Sequence, residues 1–175
     1  GSAFKPFTYA TAFEQGYQPE TKIYDVPIDF GPDGSGTRYI PRNYDGKFHG
    51  LLTMRQTLAM SLNVPAVETL ALAGIDATIE TATRLGITTL TEPERYGLSL
   101  TLGGAEVRPI DMARAFGVFG QEGIAHDMRP ILSITDSRGN IFFSAPETPG
   151  NRVISIETSR KINSILSDNT ARTPI

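Results

Sequence analysis

The chain has 175 residues, 39% of them hydrophobic and 20% charged, and a net charge of −3 at pH 7. This composition is typical of one globular domain with a real core, and it offers neither a basic stripe for nucleic acid nor the roughly 18 consecutive apolar residues of a membrane span. The absence of cysteine excludes disulfides, thiolate metal sites and a cysteine nucleophile, and His49 and His126 have no ligand spacing, so we expect no metal and no cofactor.

The first element is a helix over residues 1–16 that brings a hydroxyl and an amine together. Ser2 and Lys5 are three residues apart, and on a helix such positions are neighbours, about 5–6 Å apart at Cβ. Because Pro6 is tolerated only near a helix start, the helix is predicted to begin beside Ser2 and to end at Gly16. The positive end of the helix dipole would favour a serine oxyanion and a neutral amine, as a nucleophile and its base require. The alternative is a chance spacing, with Gly1-Ser2 as a cloning remnant.

Residues 17–52 are predicted to form a long irregular loop. They contain several prolines and glycines, with turn clusters at Gly31–Gly36 and Asn43–Gly46. Loops of this length are usually functional or mobile rather than simple connectors.

A helical subdomain is predicted over residues 53–123. A capping box, Thr53 to Gln56, opens its first helix, which ends near Asn63. Three further helices follow, and their predicted bounds are Pro65 to Gly74, Asp76 to Leu85, and Pro109 to Gly120 or Gly123.

Only one pair of strands is predicted, a hairpin over residues 130–145. Its strands are Ile131–Thr135 and Ile141–Ser144, and a last helix follows over residues 155–168. The fold class is therefore α+β and predominantly helical. A single hairpin is marginal by itself, so we expect it to pack on helices or to join further strands.

Three segments resemble the transpeptidase domain of bacterial penicillin-binding proteins. Gly1–Ala10 resembles the nucleophile segment, in which Ser-x-x-Lys stands at a helix start and is followed by Pro-Phe. Asn43–Gly50 and Thr53–Val67 are similar to the segment that holds the family's second motif, Ser-x-Asn, which is Ser61-Leu62-Asn63 here. Leu102–Pro109, which runs into Met112–Phe116, also resembles the family. The pattern is closest to the bifunctional class A type, which adds a glycosyltransferase domain.

The resemblance implies a D,D-transpeptidase that cross-links peptidoglycan. Ser2 would attack the carbonyl of a donor peptide or a β-lactam and form an acyl-enzyme, and Lys5 would take the proton. Ser61 would relay a proton to the leaving group, and Asn63 would position Lys5 and the substrate amide.

The same resemblance implies partners and a location. The partners would be peptidoglycan stem peptides, β-lactam antibiotics and other cell-wall synthesis proteins, with no nucleic acid. The site would lie on the outer or periplasmic face of the bacterial cytoplasmic membrane, reached through an anchor that this chain does not contain.

One element of the family pattern is missing. No Lys-Thr-Gly or Lys-Ser-Gly occurs, so the chain is interpreted as a transpeptidase or serine β-lactamase-like fold without most of its central antiparallel sheet. Loss of one oxyanion-hole donor costs about 10²–10³ in rate, so we expect the chain to be nearly inactive alone. Ser167-Asp168-Asn169 is a literal Ser-Asp-Asn, but it lies too far downstream and is interpreted as a frayed helix end.

Two alternatives remain open. One is a non-catalytic helical scaffold or interaction fragment. The other is a D,D-carboxypeptidase or a β-lactamase of the same superfamily, which would differ in whether water reaches the acyl-enzyme.

Overall fold

A buried helix, α1 (Lys5–Glu14), lies at the centre of the fold. The computed structural model describes residues 1–32 and 36–173, and within them every residue from Phe4 to Phe13 is buried. A helix that is buried on all sides needs apolar partners all round, and α1 packs against helices on several sides. A single 3₁₀ turn, Ser2–Phe4, leads into α1, and Gln15 and Gly16 end it, as predicted.

The four predicted helices of the middle stretch are present, but the first ends at Ala59 and not near Asn63, because Ser61 takes a left-handed backbone conformation. Their bounds are α2 (Met54–Ala59), α3 (Asn63–Ala73), α4 (Ile75–Leu85) and α5 (Pro109–Gly120). The capping box is confirmed as well, because Gln56 N donates to Thr53 Oγ1 at 3.2 Å and Thr53 N donates to Gln56 Oε1 at 3.0 Å. Gly86 ends α4 in the left-handed conformation, at a φ of 114°.

Aromatic side chains join α1 to α5. The Phe7 ring lies 5.6 Å from the Phe116 ring and 5.7 Å from the Phe119 ring, and the Phe4 ring is 5.3 Å from Phe7. Rings at these separations add to the stabilisation that their buried area already gives. The first turns of α1 are therefore held firmly, which matters because Ser2 and Lys5 lie there.

The prediction of a single pair of strands is wrong. The described residues form three two-stranded antiparallel sheets, and the predicted hairpin is one of them. The pairs are β1 (Lys22–Asp25) with β2 (Gly50–Thr53), β3 (Ile124–Ala125) with β6 (Asn151–Arg152), and β4 (Ser133–Thr135) with β5 (Ile141–Ser144). The missed strands have two to four residues, which is too short for an alternating pattern to stand out.

The interpretation of residues 17–52 as irregular throughout is wrong at both ends. There β1 pairs with β2, so Ile23 faces Leu52, and both side chains are buried. Of the predicted turn cluster Gly31–Gly36, residues 33–35 lie outside the described residues. The hairpin was expected to pack on helices or to join further strands. Among the described residues neither expectation is met, because β4 and β5 pair only with each other and all their residues are exposed.

The C-terminal helix is confirmed, but the reading of Ser167-Asp168-Asn169 as a frayed end is wrong. Ser155 Oγ accepts from Thr158 N at 3.0 Å and caps α6 (Ile156–Leu166). The Asp168 carboxylate then accepts from Ala171 N at 2.9 Å and caps a short helix, α7 (Asn169–Arg172). The Ser-Asp-Asn segment is thus a structured junction between two helices.

Neither a membrane-spanning helix nor a cluster of metal ligands is present among the described residues. No described helix is long and apolar enough to cross a membrane. Across residues 1–32 and 36–173, no group of three His, Asp or Glu side chains could hold a metal ion.

Candidate active site

Ser2 is exposed and lies one helical turn before the buried Lys5. It is the first residue of the 3₁₀ turn, in which Phe4 N donates to the Gly1 carbonyl at 3.0 Å. Pro6 takes the second position of α1, where a missing N–H costs nothing. A reactant can reach the hydroxyl of Ser2, while Lys5, only 1% exposed, is shielded from water.

The Lys5 amine meets both polar residues of the second predicted motif. Lys5 Nζ donates to Asn63 Oδ1 at 2.8 Å, to Ser61 Oγ at 3.2 Å and to the Ser61 carbonyl oxygen. Burial lowers the pKa of Lys5 from 10.5 to about 8, because the charged ammonium loses hydration there. The structure therefore brings Lys5, Ser61 and Asn63 together around an amine that loses its proton more readily than an ordinary lysine.

Ser61 adopts a backbone conformation that few residues other than glycine accept. Its φ is 57°, in the left-handed region, at the turn between α2 and α3. Leu62 N donates to the Thr57 carbonyl at 3.0 Å across this turn. The left-handed region costs a residue with a side chain about 1–2 kcal/mol, and such strain often persists at functional sites. The turn allows both oxygen atoms of Ser61 to contact Lys5.

Asn63 is the first residue of α3, and its side-chain amide is fixed at both ends. Its Oδ1 accepts from Lys5, and its Nδ2 donates to the Arg42 carbonyl at 2.9 Å. Its backbone N–H donates to Asn43 Oδ1 at 2.8 Å. Arg42 and Asn43 were not predicted as site residues, although Asn43 opens one of the segments that resemble the family.

The segment Leu102–Pro109 approaches the backbone beside Ser2 through a glycine. Gly103 has a φ of 82°, and a Cβ placed there would lie 2.4 Å from Gly1 Cα and 2.7 Å from the Gly1 carbonyl oxygen. Only a residue without a side chain fits so close to the backbone that precedes Ser2. Thr101, the residue just before this segment, is tied to α1 by a buried hydrogen bond of 2.9 Å from Thr8 Oγ1 to Thr101 Oγ1.

Ser2 supplies an exposed hydroxyl at a helix start, and Lys5 supplies a desolvated amine one turn later. The hydrogen bonds of the Lys5 amine go to Ser61 and Asn63. Nucleophilic catalysis by serine uses a hydroxyl beside a group that can accept its proton.

A comparison with protein families and curated proteins finds clear relatives. The family model described as the penicillin-binding protein transpeptidase domain matches residues 1–173. Penicillin-binding protein 1A of Vibrio cholerae is 35% identical over 145 residues, which are 83% of this chain and 17% of that protein. Penicillin-binding protein 1A of Neisseria lactamica is 34% identical over 142 residues, 81% of this chain and 18% of the relative. The chain thus spans less than a fifth of the length of these relatives.

Solved structures show the same fold. Penicillin-binding protein 1A from Haemophilus influenzae superposes with a TM-score of 0.84 at 31% identity, over 98% of this chain and 29% of that one. The PonA1 protein from Mycobacterium tuberculosis in complex with penicillin V superposes with a TM-score of 0.78 at 24% identity, over 94% of this chain and 45% of that one. The helical layer and the small sheets therefore match the transpeptidase fold.

Proposed function

Because this chain belongs to the penicillin-binding protein transpeptidase domain family, in the class A group, we propose that it carries the acyl-transfer site of a D,D-transpeptidase. The substrates would be peptidoglycan stem peptides, and β-lactams would acylate the same serine. The single observation that carries the proposal is the Lys5 amine, which is buried and hydrogen-bonded to Ser61 and Asn63.

In the proposed reaction Ser2 Oγ attacks the carbonyl carbon of the donor peptide. The hydroxyl proton passes to neutral Lys5, and the new C–O bond makes a tetrahedral intermediate. As the C–N bond breaks, Ser61 Oγ passes a proton from the lysine to the leaving amine. An acceptor amine then attacks the acyl carbonyl carbon and gives a proton to neutral Lys5. The new C–N bond forms, the C–O bond to Ser2 breaks, and the proton returns from Lys5 to Ser2 Oγ. A β-lactam would follow the first half only, since its leaving nitrogen stays attached to the acyl group.

Each role matches a feature of the site. Lys5 needs a lowered pKa to accept a proton near neutral pH, and burial lowers it. Ser61 can relay a proton because its hydroxyl lies 3.2 Å from Lys5 Nζ, and Asn63 fixes the amine with a shorter contact. A non-catalytic scaffold gains nothing from a desolvated lysine beside a strained serine, so the geometry favours the enzyme.

We propose that the enzyme acts at the outer face of the bacterial cytoplasmic membrane, next to the peptidoglycan that it would cross-link. Candidate partners are other proteins of cell-wall synthesis. Peptidoglycan stem peptides and β-lactams are the substrates and the antibiotics expected for a member of this family.

The test is acylation of the complete gene product by a fluorescent penicillin, followed by peptide mapping. We expect a single adduct on Ser2 and none on the Ser2→Ala variant. Ser167→Ala is the matched control, because it alters the literal Ser-Asp-Asn segment and should label like the wild type. An adduct on Ser2→Ala, or an unlabelled wild type, would refute the assignment.

A second assay separates transfer from hydrolysis. A stem-peptide donor is incubated with an amine acceptor, and the products are resolved by mass spectrometry. A cross-linked dimer supports the transpeptidase, whereas a shortened monomer alone would mean a carboxypeptidase.

A further inference from the structure

A buried asparagine outside the predicted site caps the helix that carries Asn63. Asn43 Oδ1 accepts from Asn63 N at 2.8 Å and from Val64 N at 3.2 Å. These are the first two N–H groups of α3, whose own N-cap residue, Leu62, provides no side-chain hydrogen bond. A helix start needs such acceptors, because its first N–H groups have no partner within the helix. Asn43 supplies this cap from 20 residues away.

The other end of the Asn43 amide is held by a fully buried carboxylate. Asn43 Nδ2 donates to Asp25 at 2.7 and 2.9 Å and to the Lys47 carbonyl at 2.8 Å. Asp25 Oδ2 also accepts from His49 N at 2.9 Å and contacts His49 Nδ1 at 2.7 Å. Every polar atom of the Asn43 side chain therefore has a partner. If the amide were rotated by 180°, its Nδ2 would face the N–H donors of Asn63 and Val64, and its Oδ1 would face the Asp25 carboxylate.

The same segment also fixes the side chain of Asn63. The Arg42 carbonyl accepts from Asn63 Nδ2 at 2.9 Å, so Asn63 Oδ1 is the atom left to face Lys5. Arg42 and Asn43 thus hold both the backbone and the amide of Asn63. A chain of hydrogen bonds runs from the Asp25 carboxylate through Asn43 and Asn63 to the Lys5 amine.

We propose that Asp25 and Asn43 are positioning residues for acyl transfer, which set the place of Asn63 and, through it, of Lys5. The inference rests on the proposed function, because it assumes that Lys5 is the base. Residues 17–52 would then support the site, since β1 ends at Asp25 and the loop after it carries Asn43.

The experiment exchanges the two side chains. Asn43→Asp sets two carboxylates against each other, and Asp25→Asn replaces one of the two carboxylate oxygens that accept from Asn43 Nδ2 with an NH2 donor. The double variant Asp25→Asn/Asn43→Asp restores a complementary pair, because the new amide at 25 can donate to the new carboxylate at 43. That carboxylate can still accept from the N–H groups of Asn63 and Val64.

The measurement is saturation kinetics of acylation by a fluorescent penicillin, per folded molecule of the complete gene product. These kinetics separate the first-order acylation constant from the dissociation constant of the initial complex. We expect each single variant to lower the acylation constant about 10- to 100-fold, as loss of a supporting hydrogen bond typically does, with a smaller change in the dissociation constant. The double variant should recover at least half of this loss on a logarithmic scale.

Asp111→Asn is the matched control. Asp111 is also a buried carboxylate that ties a loop to a helix start, through Thr88 and Arg108. It has no contact with Lys5 or Asn63, so this variant should unfold at a lower temperature yet acylate at the wild-type rate while folded. If Asn43→Asp does not fold, Asn43→Ser takes its place, because its hydroxyl keeps a shorter acceptor.

The outcomes are distinguishable. A wild type that is not acylated on Ser2 removes the proposed function itself. If the wild type is acylated on Ser2 but the single variants have the wild-type acylation constant, only the positioning role of Asp25 and Asn43 is overturned. Slow single variants without recovery in the double variant would also overturn it, because the pair must act through its complementarity.

Discussion

The lowered pKa of Lys5 gives acylation a defined dependence on pH. Burial lowers this pKa from 10.5 to about 8. In the proposed reaction neutral Lys5 is the base, so the rate should rise as pH passes through 8 and then level off. About 9% of Lys5 is neutral at pH 7 and about 91% at pH 9, so the rate should increase about tenfold between them.

An ordinary lysine would behave differently over the same range. With a pKa of 10.5 its neutral fraction would rise about 100-fold from pH 7 to pH 9, without a plateau. At pH 7 the buried amine has about 300 times more neutral form than that ordinary lysine. Tyr9 does not interfere, because burial raises its pKa to about 12.

The assay is the second-order rate of acylation by a fluorescent penicillin from pH 6.5 to 10. Ser2→Ala provides the blank for spontaneous opening of the β-lactam at high pH. Lys22→Ala, which removes an exposed lysine of β1, should leave the curve unchanged. A 100-fold rise without a plateau, or a rate independent of pH, would refute the assignment of Lys5 as a desolvated base.

Two further predictions concern backbone conformation. Gly103→Ala should slow acylation at least tenfold, because its Cβ would push the backbone before Ser2 out of place. The control Gly74→Ala has a similar φ of 88° but no atom within 4 Å of the added Cβ, so it should lower only the stability. Equal acylation rates for the two folded variants would contradict this prediction. Ser61→Gly should relieve left-handed strain and raise the free energy of unfolding by about 1 kcal/mol while it lowers acylation, measured by denaturant titration and by labelling. The control is Glu122→Gly, at the other described non-glycine residue with a positive φ, 53°, and it should leave the acylation rate unchanged. If Ser61→Gly is acylated at the wild-type rate, the Ser61 hydroxyl has no relay role.

Local signals in the sequence predicted most of the helices. The capping box at Thr53 and the glycines after α3 and α4 act within a few residues, so their partners can be recognised without the fold. The short strands could not be recognised in this way. Each of β1 and β2 has four residues, and their partners lie beyond a long intervening segment.

The candidate site likewise combines contacts that local sequence predicts with contacts between distant segments. Ser2 and Lys5 are three residues apart, so the spacing alone predicted that a helical stretch would separate them by one turn, and the 3₁₀ turn that leads into α1 does so. The meeting of Lys5 with Ser61 and Asn63, which lie more than 50 residues away, depended on the family resemblance. Nothing in the local sequence marked Asp25, because a buried carboxylate at the end of a short strand reads like any surface aspartate.

Two unfavourable features lie together at this site, and both become understandable if the site carries chemistry. Lys5 is desolvated, and Ser61 has a strained backbone. Neither feature helps the chain to fold, so the surrounding structure must hold them in place. The aromatic contacts of Phe7 do so for α1, and the Asp25–Asn43 pair does so for α3. Weakening either support should release the strain before it unfolds the domain, so acylation should be lost at milder denaturant than the helical signal.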